Sequence, residues 1–84
     1  MIEKLRKRLI YKATHRGMKE TDKILGTFAK FKLEDLSEDL LHQFDNFLDL
    51  PDADILNWLL YKENVPDEYN NQIFHLLIEF KDKI

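Results

Sequence analysis

The chain has no cysteine, two glycines, two prolines and a single serine in 84 residues. Without cysteine there are no disulfides, no thiolate catalysis and none of the common zinc sites, which fits a reducing compartment. So few glycines and prolines argue against a sheet-rich fold, which needs turn residues at each reversal, and for long uninterrupted helices. No apolar run approaches the roughly 20 residues of a membrane span. The start, Met1-Ile2-Glu3-Lys4-Leu5-Arg6-Lys7-Arg8, lacks the apolar segment of a secretory signal. A soluble intracellular protein is the expectation. A single helical domain over residues 1–84 buries only about 60–65% of the surface exposed by its unfolded form, so a core leaves no room for a deep catalytic cavity.

Charge is present in quantity and is unevenly placed. The net charge is −3, yet residues 1–20 carry seven Lys/Arg against Glu3 and Glu20. Residues 33–54 carry eight acids and no Lys or Arg. For a charge run the default is a solvated face, or two opposite blocks attracting each other.

Periodicity sets out five helices. Ile2, Leu5, Leu9, Ile10 and Ala13 form one stripe of a first amphipathic helix, with Arg6, Lys7 and Lys12 opposite. A second helix, from Gly17 or Met18 to about Phe31, turns Met18, Leu25, Phe28 and Ala29 inward, with Ile24 and Phe31 as further candidates. Gly26 inside it costs about 1 kcal/mol relative to alanine and permits close helix packing. Ser37 is placed to cap a third helix that buries Leu40, Leu41, Phe44, Phe47 and Leu48 and stops before Pro51. Asp52 reads as the N-cap of a short fourth helix through about Tyr61, apolar at Ile55, Leu56, Trp58, Leu59 and Leu60. Trp58 is assigned to the core. Pro66 suits the first position of the last helix, which buries Tyr69, Ile73, Phe74, Leu77 and Phe80 and frays toward Ile84. The fold class is all-α, a compact bundle of five short helices.

Catalytic chemistry finds little to work with. Ser37 is a cap, and no threonine has a histidine placed to activate it. His15, His42 and His75 lie too far apart for a local metal motif, and read as surface or boundary residues. Asp52, Asp54 and Glu63 fall at the first, third and twelfth positions of a calcium loop, but Leu56 and Asn57 occupy the positions where its geometry is strictest. Carboxylates capping helix starts explain that segment better, and no metal is expected. The basic first helix could meet phosphates, so a small regulatory nucleic-acid-binding module is the alternative reading; the acidic block and the missing groove-reading motif argue against it.

The segment His15-Arg16-Gly17-Met18-Lys19-Glu20-Thr21-Asp22 separates the basic stretch from the rest, and two readings of it stand. As structure, Gly17 ends one helix in the left-handed region and caps the next, with Arg16 in a last turn and Glu20 at the N3 position. As function, a bare backbone patch flanked by a cation and an anion is a place where another chain approaches closely and exchanges charged hydrogen bonds.

Arg16-Gly17-Met18-Lys19-Glu20-x-Asp22 resembles the signature of the SdhE-type FAD assembly factors of succinate dehydrogenase. Leu33-x-x-Leu36-Ser37, the run from Leu48-Asp49-Leu50-Pro51-Asp52-Ala53-Asp54-Ile55-Leu56 to Trp58-Leu59, and Pro66-Asp67-Glu68 follow in that family's order, covering Arg8 to Phe80. His15 stands where the family often has a second arginine, and Thr21 replaces a common leucine; His15 makes its contact weaker and pH-dependent. The resemblance implies a chaperone-like, non-enzymatic factor that binds the flavoprotein subunit of succinate dehydrogenase or fumarate reductase and promotes covalent attachment of FAD. The chemistry then belongs to the flavin and the flavoprotein, and no FAD is bound stably by the factor itself. Partner binding falls on His15, Arg16, Gly17, Met18, Lys19, Glu20 and Asp22, with Gly17 giving close approach and Arg16 and Glu20 a polar clasp. On this reading Arg16→Glu leaves the helices intact and abolishes binding. A start at Met1 without an Arg/Ser-rich transit peptide points to a bacterial cytoplasmic protein, a monomer when free.

Overall fold

The computed structural model describes residues 2–83, so the expected fraying at Ile84 lies outside the described residues. Five α-helices follow in order: α1 (Ile2–Thr14), α2 (Lys19–Lys32), α3 (Glu38–Leu48), α4 (Asp52–Leu59) and α5 (Gln72–Lys83). Short 3-10 turns at Leu33–Asp35 and Asp67–Tyr69 lie between them, and no strand occurs among the described residues. α1 packs on α2 and α3, while α5 lies against α2, α3 and α4.

The apolar stripes converge as their spacing requires. Leu9 and Ala13 of α1, Leu25 and Phe28 of α2, Leu41, Phe44 and Phe47 of α3, Ile55 and Leu59 of α4, and Ile73 and Leu77 of α5 are buried. Phe28 meets the edges of Phe44 and Phe80, at ring-centroid distances of 5.3 and 5.5 Å. Trp58 is buried as expected and stacks on Tyr69 at 5.9 Å. Ile24 is buried, whereas Phe31 is 72% exposed, because it falls on the far side of α2 from the core. Ile10 and Leu60 also sit at the rim, exposed, and Met18, Leu40, Tyr69 and Phe80 are half-buried.

The helix ends follow local chemistry, though not always as expected. Ser37 caps α3, its Oγ accepting from Leu40 N. α4 is capped at Pro51, and Asp52 is its first residue rather than its cap, since the Asp52 carboxylate is drawn to another partner. Tyr61, with φ of 61°, takes the left-handed position after α4 that glycine usually fills, so the helix stops at Leu59. Pro66 does not open α5 either. It precedes the 3-10 turn, and α5 starts at Gln72, where Asn71 Oδ1 accepts from Phe74 N at 3.1 Å. Gly26 is buried against α1: a Cβ there would lie 3.1 Å from Thr14 Cγ2. That contact accounts for a glycine in mid-helix.

Phe44 is fully buried and meets Phe28 edge-on. Phe44→Ala should cost about 3–5 kcal/mol, a large share of what so small a domain has. Urea denaturation followed by circular dichroism measures it; an unchanged midpoint would contradict this packing.

Candidate functional site

The segment joining α1 to α2 is held by two carboxylates and one guanidinium. Asp22 Oδ1 accepts the backbone N–H of Arg16 at 2.7 Å, and Asp52 Oδ2 accepts that of Gly17 at 2.8 Å. The Arg16 side chain runs down into the junction between α3 and α4. Its Nε donates to Asp52 Oδ1 at 2.7 Å, and its terminal nitrogens donate to the carbonyls of Leu48 and Leu50. Only 10% of the Arg16 side chain and 15% of that of Asp52 remain exposed. The cation thus complements the C-terminal end of α3, not of α1, and a planar fork with fixed donors suits two carbonyls and one carboxylate.

A second set of ion pairs lies alongside. Lys12 Nζ reaches Asp45 Oδ1 and Asp49 Oδ1, each at 2.6 Å, and Arg8 reaches Asp45 Oδ2 at 2.7 Å. The basic start of the chain and its acidic middle therefore neutralise each other across α1 and α3. Burial alone would raise the carboxyls of Asp45 and Asp52. The hydrogen bonds of Lys12 to Asp45 and of Arg16 and Gly17 to Asp52, with the adjoining positive charge, outweigh it and hold both below the ordinary 3.8. Burial would likewise lower Lys12, but its two carboxylate partners hold it above 10.5.

Seven residues were expected to form one site, and the fold separates them by direction. Arg16 and Asp22 face inward and fix the loop. His15, Gly17, Lys19 and Glu20 are exposed, with Met18 half-buried between them. The His15 ring stacks on Tyr11 at 4.0 Å. Its Nδ1 lies 2.9 Å from the Tyr11 carbonyl, an acceptor only, so neutral His15 carries its proton there and turns Nε2 outward. His42 and His75 are exposed, as expected.

Gly17 departs from the helix-end reading. No glycine has a positive φ, and the N-cap of α2 is Met18, which puts Glu20 at N2 rather than N3. A Cβ on Gly17 would meet Asp52 Oδ2 at 3.6 Å, an ordinary contact. Neither conformation nor internal space requires glycine here. Arg16→Glu, expected to spare the fold, would instead set a carboxylate among Asp52 and two carbonyl oxygens.

Asp52 is the site residue that pattern reading missed, because a Pro-Asp pair before an apolar run looks like a helix cap. The only available signal was the acid's presence in a motif block distant from Arg16. Among the described residues no group of three metal-ligating side chains occurs, and no helix is long and apolar enough to cross a membrane. An apolar groove of about 490 Å³ bounded by Phe28, Leu36, Leu40, Leu76 and Phe80 involves none of residues 15–22.

Fold and loop together define a small, all-helical protein that presents a fixed, charged, solvent-facing segment. The family described as flavinator of succinate dehydrogenase matches residues 7–81, and the chain belongs to that family. It is similar to the mitochondrial succinate dehydrogenase assembly factor 2 of Dictyostelium discoideum, 43% identical over 76 residues, covering 90% of this chain and 54% of that protein. The factor of the same name from Cryptococcus neoformans is 47% identical over 62 residues, 74% of this chain and 35% of that protein. The FAD assembly factor SdhE of Acetobacter pasteurianus is 30% identical over 74 residues, 88% of this chain and 68% of that protein. The chain thus spans about half or less of the two mitochondrial relatives. These relatives overturn the expectation of a bacterial cytoplasmic protein: the two of higher identity are mitochondrial proteins of eukaryotes.

Replacing Asp52 by asparagine keeps the shape and removes the anion facing Arg16. A cost of about 3 kcal/mol is expected, since a nearly buried cation loses its partner. The pH dependence should change too. A carboxyl held below its unfolded value contributes fully above about 3.8 and loses that contribution as pH falls through its folded value. The unaltered chain should therefore lose stability from about pH 4 downward more steeply than Asp52→Asn. Urea titrations across that range measure both slopes, and equal slopes would contradict the assignment.

Proposed function

We propose that this chain is an assembly factor that binds the flavoprotein subunit of succinate dehydrogenase, or of fumarate reductase, and promotes covalent attachment of FAD. The observation that carries this reading is Gly17, which is exposed, conformationally ordinary and free of internal crowding, yet held in place by Asp52. A bare backbone that the fold itself does not require fits close approach by another chain. Family membership supplies the class of partner.

In this reading Gly17 is the contact point, with Met18, Lys19, Glu20 and His15 around it. Arg16 and Asp22 act by keeping the loop in one conformation, which lowers the ordering cost of binding. The chain's own residues do not make a flavin site at this loop. The amides of Arg16 and Gly17, in the loop before α2, already donate to Asp22 and Asp52, so these two do not serve to cradle a pyrophosphate. In this reading FAD is held by the partner, and the chain acts as a binding factor without a reaction of its own. It acts by binding best the flavoprotein conformer in which the reacting groups are adjacent, a shift of population that needs only differential affinity.

Co-expression with a flavoprotein subunit, followed by in-gel fluorescence for covalently attached flavin, tests this. Gly17→Trp should keep the helical circular dichroism and reduce flavin attachment at least about tenfold, by blocking the close approach. Wild-type levels of attached flavin with Gly17→Trp would overturn the reading.

A further inference from the structure

Two sets of cations contrast, although Lys4, Lys7, Lys32 and Lys62 also form no ion pair among the described residues. Arg8, Lys12 and Arg16 are matched by the acids of α3 and of the α3–α4 junction. Lys19, Lys23 and Lys30 on α2 are exposed, and among the described residues none forms an ion pair. At about 100° per residue these three lysines and Gly26 lie in one row, spanning about 16 Å along the helix. A trough of about 380 Å³ runs between them, floored by Gly26, Thr14 and Thr27, with Asp22 as its one acid.

This row works against the helix that carries it. Lys19 is the first residue of α2, where the helix dipole is positive and a cation is unfavourable. Lys23 lies one turn on, so two like charges face each other at i and i+4. Gly26, buried against Thr14 of α1, puts no side chain between Lys23 and Lys30. The row also begins two residues from Gly17 and continues the exposed loop without a break.

We propose that the Lys19–Lys23–Lys30 row is the second half of the docking surface and receives an acidic segment of the flavoprotein; this rests on the reading above. A peptide fits better than a nucleic acid. Glu20 and Asp22 interrupt the positive field, and the chain as a whole carries −3, so a long uniform polyanion would meet repulsion beyond the row. A short acidic stretch anchored beside Gly17 would meet only the lysines.

The test is the dissociation constant for the purified flavoprotein subunit, measured from low to moderate salt. Lys23→Glu/Lys30→Glu leaves the loop untouched and should weaken binding by about ten- to a hundredfold at low salt, with a shallower salt dependence. Lys23→Gln/Lys30→Gln should fall between it and the unaltered chain. A control pair with the same change in net charge, Lys7→Glu/Lys62→Glu, should stay within about twofold. Circular dichroism checks that each variant is folded. If the ridge pair binds like the unaltered chain, or no worse than the control pair, while Gly17→Trp fails to bind, the ridge is wrong and the loop stands. If the unaltered chain does not bind at all, both fall together. If the ridge pair loses affinity for a duplex oligonucleotide but not for the flavoprotein, the ridge belongs to a nucleic acid and the proposal is overturned.

Discussion

The bond between the Arg16 guanidinium and the Asp52 carboxylate joins two parts of the chain 36 residues apart. It is made where α1 and α3 end and α2 and α4 begin. The same carboxylate holds the Gly17 amide, and the same guanidinium closes off the carbonyls of Leu48 and Leu50. Removing either partner would leave a nearly buried charge and several unmatched backbone groups, so the arrangement has no cheap half-formed state. A short connection that would otherwise sample many conformations is thereby held in one.

The distribution of charge in the sequence has its origin here. The basic first helix and the acidic middle are complementary faces of one contact, from Arg8 and Lys12 against Asp45 and Asp49 to Arg16 against Asp52. Internal pairing of these groups leaves Lys19, Lys23 and Lys30 of α2, next to the loop, among the exposed cations that remain. A protein with a net negative charge can in this way present a local cationic strip without being basic overall.

Much of the fold was legible in the sequence, because the three- and four-residue spacing of stripes such as Leu5, Leu9 and Ala13, or Leu41, Phe44 and Leu48, fits a helix, and Ser37 announces the start of α3. The site was legible as a motif but not as a mechanism. Asp52 is an ordinary helix cap by local rules, worth about 1 kcal/mol. A charge-assisted bond to Arg16 is worth about 1.5–3 kcal/mol, and it won. Pattern reading cannot weigh a local partner against one 36 residues away. The same limit hid the inward turn of Arg16, which looked like a surface cation. Tyr61 in a left-handed conformation was missed because glycine usually fills that role and none stands near α4, and Asn71 as the cap of α5 because Pro66 pointed to an earlier start.

Membership of the flavinator family gives the loop its context, and the geometry gives it a physical role: a bare backbone segment fixed from beneath and open from above. Hydrogen–deuterium exchange of the full chain, alone and with the flavoprotein subunit, tests that role most directly. Added protection should concentrate on the amides of residues 17–20, with the groove lined by Phe28, Leu40 and Phe80 unchanged. Protection confined to that groove, with residues 17–20 exchanging as in the free protein, would contradict the account.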